Sequence, residues 1–175
     1  MKSSLLRILG LSLAVGCSSA YATLIGDTIT ITKYYPNTAT PVLSLTTVVS
    51  AGTGDTLNDS GVLTINPGAT GLVFQVLFPF GYLSAPFNGF IVTGIDDTLT
   101  GVTVSTNLGG WTSSRIAFDA HSTSLNLQNL SFNSDSFFDV FFQLQPANPT
   151  PDSGATLAML GLAVLGLAAL RRRVA

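Results

Sequence analysis

The stretch Ile25-Gly-Asp-Thr-Ile-Thr-Ile-Thr-Lys33 decides the fold class, because apolar and polar residues alternate along most of it. Successive side chains of a β-strand point to opposite faces, so Ile25, Ile29 and Ile31 are predicted to share a buried face with threonines opposite. The stretch has no helical spacing of three or four residues. It therefore predicts a strand that is buried on one side.

Further segments of this kind follow along residues 23–145, about 8 to 12 residues apart and separated by turn clusters such as 51–55, 66–68 and 107–110. Outside the two ends of the chain, no helical periodicity is present. This spacing predicts a single all-β domain, a β-sandwich or jelly roll. The further strand candidates are 42–50, 61–66, 71–78, 90–95, 101–106, 115–120, 122–130 and 137–144.

The charge of this body differs from the whole-chain value of −2. Residues 23–145 contain eight Asp, no Glu and only Lys33 and Arg115 as cations, which leaves a formal charge of −6. Nucleic acids and anionic lipid surfaces bind to basic faces, so neither is expected as a partner. Cations and neutral polymers such as extracellular polysaccharide fit better. Because Cys17 is the only cysteine, this body has no disulfide.

The N-terminal segment 1–22 has the order of a secretory signal peptide. Two basic residues lie within the first seven, residues 8–16 are apolar, and Ala20 and Ala22 supply the small side chains that signal peptidase requires. We expect cleavage after Ala22. A competing interpretation makes the four residues that end at Cys17 a lipobox, with Cys17 as a lipidated N-terminus.

The C-terminal segment combines three parts in sequence. A Pro-rich spacer with a Pro-Asp-Ser-Gly motif covers 146–154, an apolar stretch covers 155–170, and a basic tail covers 171–175. The sixteen uncharged residues would rise about 24 Å as a helix, against a hydrocarbon core of about 30 Å, so a membrane span is marginal. The basic residues favour a cytoplasmic C-terminus, with the body outside. They are Arg171, Arg172 and Arg173.

The run from Thr150 to Arg173 resembles the PEP-CTERM class of bacterial sorting signals, and more closely its VPDSG-CTERM variant, with Thr150 where that family usually has Val. The resemblance implies that an exosortase, an integral-membrane cysteine protease, recognises the motif and removes the helix. The exported protein then passes to the cell surface or extracellular matrix. The alternative is a permanent membrane anchor. The implied recognition residues are Pro151, Asp152, Ser153 and Gly154.

Four aromatic residues are candidates for carbohydrate binding, because sugars stack on exposed rings. Trp111 follows Gly109 and Gly110, a place where a ring can be displayed. The opposing interpretation is that Trp111 closes one end of the sandwich as part of the core. The other candidates are Tyr34, Tyr35 and Tyr82.

The segment 137–142 has more phenylalanines than one face of a strand requires. Alternation divides it between two faces, so either both faces are covered or one is an interaction surface. One face carries Phe138, Val140 and Phe142, and the other carries Phe137, Asp139 and Phe141.

The loop 54–61 is a candidate calcium site, because Ca²⁺ prefers several oxygen ligands from a flexible loop. Asp55, Asn58 and Asp59 would supply them, although their spacing is not that of an EF-hand. The alternative is a solvated turn, since Asp and Asn tolerate turn geometry. No other cofactor is expected.

Catalytic patterns are sparse. His121 is the only histidine, and no nucleophile-elbow pattern surrounds any serine, so we expect no catalytic residues. Three hypotheses remain: a non-enzymatic surface or matrix protein with a structural or adhesive role, a carbohydrate-binding module, and an unrecognised hydrolase. The first is preferred.

Overall fold

The computed structural model describes residues 22–52 and 55–146, and this part of the chain is built from β-strands with one 3₁₀ turn, Ser113–Arg115. The all-β prediction is confirmed. In chain order, the strands are β1 (Thr28–Tyr34), β2 (Pro41–Val48), β3 (Leu57–Asp59), β4 (Leu63–Gly68), β5 (Gly71–Val76), β6 (Phe80–Gly81), β7 (Gly89–Thr93), β8 (Thr98–Thr106), β9 (Ile116–Phe118), β10 (Ser122–Asn126), β11 (Ser131–Phe132) and β12 (Phe137–Gln145).

The strands form two open five-stranded sheets and one two-stranded ribbon. Sheet A has the order β2-β1-β7-β10-β9, sheet B has the order β3-β4-β5-β12-β8, and β6 pairs with β11. Every pairing is antiparallel. Two open sheets that share one core are consistent with the predicted β-sandwich.

The core lies between the inner faces of the two sheets. In β1, Ile29 and Ile31 are buried as the alternation predicts, and in β12 Phe138 is fully buried. Phe74 of sheet B and Phe90 of sheet A place their ring centroids 5.7 Å apart, so aromatic contacts join the sheets. In the absence of a disulfide in the body, this apolar packing supplies most of the stability.

The predicted burial of Ile25 is wrong. Ile25 is 42% exposed, and β1 begins only at Thr28. The intervening Gly26 has φ +99°, a conformation that favours glycine and interrupts the extended chain. The alternation therefore places Ile29 and Ile31 correctly but does not extend back to Ile25.

The predicted turn at 66–68 is also wrong, because these residues form the end of β4. The hairpin turns at Ala69 and Thr70 instead, with Gly68 opposite Gly71. β3 pairs with β4 only as far as Ile65, so β4 is an edge strand at Pro67. A proline can be accommodated there because its missing N–H need not interrupt a ladder.

The two predicted terminal signals lie outside the described residues. This applies to nearly all of the predicted signal peptide 1–22, including Ala20 and Cys17, and to the predicted sorting motif, the apolar stretch 155–170 and the arginines after it. Within the ranges that are described, no helix is both long and apolar enough to cross a membrane.

Candidate functional site

A cleft of about 230 Å³ lies between the end of β1, the start of β2 and β6. It brings together two of the four predicted ligand-binding residues, Tyr35 and Tyr82. Sequence reasoning missed the other lining residues, since the segments around residues 33–35, 42, 80–83 and 88 are distant in the chain and meet only in the fold. Those residues are Lys33, Val42, Phe80, Gly81, Leu83 and Asn88.

An ion pair lies at the cleft and joins the two sheets. Lys33 Nζ of sheet A lies 2.7 Å from Asp59 Oδ2 of sheet B, with Asp59 1% exposed and Lys33 21% exposed. Ser60 Oγ donates a hydrogen bond to the other oxygen of Asp59. Lys33 Nζ also lies 5.5 Å from the ring centroid of Tyr82. Lys33 therefore places a largely neutralised positive charge on the cleft wall.

Tyr82 belongs to the core side of the cleft. Its ring packs against Phe80, Phe90 and Phe132, so it is not displayed for stacking. Its hydroxyl is buried and has no hydrogen-bond partner among the described residues. Burial raises the pKa of Tyr82 well above its ordinary value, and the negative charge of Asp59 adds to this shift. The hydroxyl therefore remains protonated at neutral pH.

The rim of the cleft is apolar and open, and its wall combines aromatic rings with a few fixed polar groups. Val42 and Leu83 are strongly exposed at the rim. Asn88 is buried, and its Nδ2 donates to the carbonyl of Leu83 at 3.0 Å. Apolar rims with a few fixed polar groups are typical of sites for small ligands. The cleft therefore combines an exposed apolar rim with a buried ion pair and a fixed amide.

Trp111 and Tyr34 do not line this cleft. The Trp111 ring meets Phe138 edge to face at 4.8 Å between centroids and packs against the buried core. This agrees with the interpretation that Trp111 closes the end of the sandwich. Tyr34 lies edge-on to Phe87 at 6.5 Å. Of the four aromatic candidates, only Tyr35 combines a place in the cleft with partial exposure.

The three predicted calcium ligands have separate partners. Asp55 Oδ2 accepts the N–H of Ser50 at 2.9 Å, and its Oδ1 is buried without a partner in the described chain. Asn58 Oδ1 accepts the N–H of Gly61. Within β3, Asn58 is exposed and Asp59 is buried against Lys33, so they point to opposite faces. Across the described ranges no group of three acidic, His or Cys residues converges, and calcium binding stays a prediction.

His121, Asp119 and Ser122 form a hydrogen-bonded turn between β9 and β10. His121 Nδ1 lies 2.8 Å from the carbonyl of Ile95. The Asp119 carboxylate accepts hydrogen bonds from the His121 backbone N–H and from the Ser122 hydroxyl. These bonds lower the pKa of Asp119, and the bond from His121 contributes most. The Ser122 hydroxyl thus donates to the carboxylate, whereas a catalytic triad requires a hydroxyl-to-imidazole bond.

The outer face of sheet B is partly apolar and open in the described structure. Phe137 and Phe141 are 41% and 47% exposed, and Val73 beside them is also exposed. Asp139 lies between the two phenylalanines in β12, and its Oδ1 is buried without a partner in this part of the chain. The inner residues of β12 are buried. Only one face of this strand is therefore fully covered by the protein's own core.

Comparison with known proteins identifies the C-terminal segment. No curated protein and no solved structure is significantly similar to the chain. The model of the VPDSG-CTERM motif matches residues 151–174. This segment is therefore a sorting tail of the PEP-CTERM type. Such a tail indicates an exported, surface-directed protein that an exosortase-type enzyme processes. The segment begins with the four motif residues Pro151, Asp152, Ser153 and Gly154.

Proposed function

We propose that this chain is a non-enzymatic component of the cell surface or extracellular matrix, with a structural or adhesive role after exosortase processing. The VPDSG-CTERM match at 151–174 is the observation that carries this proposal. The β-rich body, with a formal charge of −6 and no disulfide, is compatible with it. Signal peptidase acts after Ala22, and the stretch 155–170 anchors the protein in the membrane, with the arginines inside, until an exosortase cuts the tail.

The mass of the mature protein in its native host tests this proposal. We expect wild-type protein to lose the segment after the motif and a variant with Pro151, Asp152, Ser153 and Gly154 changed to alanine to keep it. A matched control changes Pro146, Asn148 and Pro149 to alanine, which alters the spacer but leaves the motif intact, and should be cut normally. Retention of 157–173 in wild-type protein would mean a permanent membrane anchor and would contradict the proposal.

A second candidate function is binding of a neutral carbohydrate in the cleft. The apolar rim and the partly exposed ring of Tyr35, with the fixed amide of Asn88 in the same cleft, support it. A sugar can place its apolar C–H face on a ring and its hydroxyls on fixed polar groups. The outer face with Phe137 and Phe141 is a less enclosed alternative for the same chemistry.

Ligand-dependent thermal stabilisation with a panel of neutral polysaccharides tests this function. We expect Tyr35→Ala to abolish the stabilisation and Tyr34→Ala to leave it unchanged, because Tyr34 packs on Phe87 and does not line the cleft. Loss of binding only in Trp111→Ala would place the sugar elsewhere. Repetition with excess EDTA tests the calcium contribution proposed for Asp55, Asn58 and Asp59.

A further inference from the structure

Each sheet has one long and one short edge strand. Sheet A ends in the eight-residue β2 and the three-residue β9, and sheet B ends in the nine-residue β8 and the three-residue β3. An edge strand presents backbone N–H and C=O groups that no neighbour satisfies. The two long edges are therefore the places in the described structure where another strand can add.

The long edges lack the usual protection against such addition. Proteins commonly blunt an edge with charged residues, prolines or bulges. Here Pro41 and the irregular pairing of β2 with β1 lie at the start of β2, and the irregularity in β8 lies before Gly101. What remains on each edge is a regular run of six residues without charge or proline, Leu-Ser-Leu-Thr-Thr-Val at 43–48 and Gly-Val-Thr-Val-Ser-Thr at 101–106.

The two long edges lie on opposite sides of the molecule. β2 contacts β3, and β8 contacts β9, so each long edge is stacked beside the short edge of the other sheet. Pairing at one side therefore leaves the long edge on the other side open. An association that does not close on itself produces linear assemblies rather than rings or discrete dimers.

We infer that copies of this chain assemble linearly by strand addition at β2 and β8. A second copy suits these edges because each molecule carries two regular runs of equal length, about 20 Å at about 3.3 Å per residue. It also suits them because neither run is charged, so copies with a body charge of −6 can meet there without placing like charges in contact. The inference goes beyond the proposed function, since it concerns the body and not the sorting tail.

The test uses mature protein recovered from its native host and compares wild type with Leu45→Lys in β2, Val104→Lys in β8 and the double variant. Both side chains are half-buried on the inner face. At a free edge, a lysine at either position can extend its charged end into water. If another strand added to that edge, the charge would be enclosed, so the lysine should prevent strand addition. Light scattering and electron microscopy should show concentration-dependent linear assemblies for wild type, no species above a dimer for either single variant, and monomers for the double variant.

Thr93→Lys is the matched control, because Thr93 is exposed on the interior strand β7 and the same charge there leaves both edges unchanged. It should assemble like wild type. If Leu45→Lys fails to fold, Thr46→Lys places the charge on the exposed side of the same edge. Monomeric wild type at about millimolar concentration, or assemblies that persist in the double variant, would overturn the inference. The mass of each sample reports tail processing separately.

Discussion

Lys33 Nζ and Asp59 Oδ2 lie 2.7 Å apart and form an ion pair between sheet A and sheet B. Asp59 is almost completely buried. Among the described residues, this is the one salt bridge. Within the described ranges, the two sheets thus share one ion pair at the cleft, whereas most of the contact between them is apolar.

Removal of Lys33 alone should be costly. Lys33→Met leaves the Asp59 carboxylate buried without its positive partner, and we expect the free energy of unfolding to fall by about 3 kcal/mol. Urea denaturation measures this change. The double variant Lys33→Met with Asp59→Leu removes both charges and should recover most of the loss, because well-packed apolar residues can replace a buried pair. Equal losses in the single and double variants would contradict this account.

Tyr82→Phe should not destabilise the protein. The Tyr82 hydroxyl is buried without a partner among the described residues, so its removal relieves a desolvation cost, and we expect a gain of about 1 kcal/mol. The aromatic contacts with Phe80 and Phe132 remain. Thermal unfolding measures the effect, and a clear loss of stability would show that the hydroxyl has a partner.

Truncation of a side chain on the buried face of β12 should cost much more stability than truncation on the exposed face. Phe138 is fully buried against Phe74 and Trp111, so Phe138→Ala should lower the free energy of unfolding by about 3–5 kcal/mol. Phe137→Ala, one residue earlier on the exposed face, should cost less than about 1 kcal/mol. Denaturant titration of the two variants side by side provides the comparison. Similar losses would mean that the outer face is covered.

Sequence patterns predicted the long strands well because their buried side chains alternate. β1, β5 and β12 lie close to the predicted segments. The short strands β3, β6 and β11 were missed, since two or three residues show no period and pair only because the rest of the fold brings them together. The predicted strand 122–130 is also too long at its C-terminal end, since β10 ends at Asn126.

The candidate site was predictable only in part. Tyr35 and Tyr82 were named as aromatic candidates, but the sequence separates Lys33 from Asp59 by 26 positions and gives no sign that they meet. Their pairing depends on two strands in different sheets. The sorting tail was predictable because its signal is local and linear, and the VPDSG-CTERM match confirms it.

The stability of the protein should depend on the ionisation of Asp27. Burial raises the pKa of Asp27, as do the nearby charges of Asp96 and Asp97, although the Asp96 backbone N–H opposes the shift. A raised pKa means that the folded state binds the proton more tightly than the unfolded state. The contribution of Asp27 to stability therefore falls as pH rises from its ordinary value through the raised one.

Asp27→Asn should remove this pH dependence while it keeps an oxygen to accept the Asp96 N–H. We expect the variant to gain stability relative to wild type at pH 7, and this advantage to shrink as pH falls toward 4. Urea denaturation at several pH values measures the difference. An advantage that grows at low pH would show that the shift has the opposite sign.

Gly89 in β7 leaves no room for a side chain against the backbone of β10. A Cβ at residue 89 would lie 1.9 Å from the carbonyl oxygen of Leu125, and the atoms it meets belong to the backbone. Because β7 lies inside sheet A with neighbours on both sides, the strands cannot separate without a loss of pairing. Gly89→Ala should therefore destabilise the protein by about 3 kcal/mol or more.

Gly109→Ala is the matched control for Gly89→Ala. Gly109 is exposed, and nothing lies within 4 Å of its added Cβ, so the same substitution should change stability by no more than about 0.5 kcal/mol. Thermal unfolding and cleft binding should be measured together for both variants. Asn88 precedes Gly89 and lines the cleft, so a displaced β7 should weaken the proposed carbohydrate binding as well as the fold. An unchanged melting temperature of Gly89→Ala would contradict this account. It would mean that the distance between a Cβ at residue 89 and the Leu125 oxygen is longer than 1.9 Å.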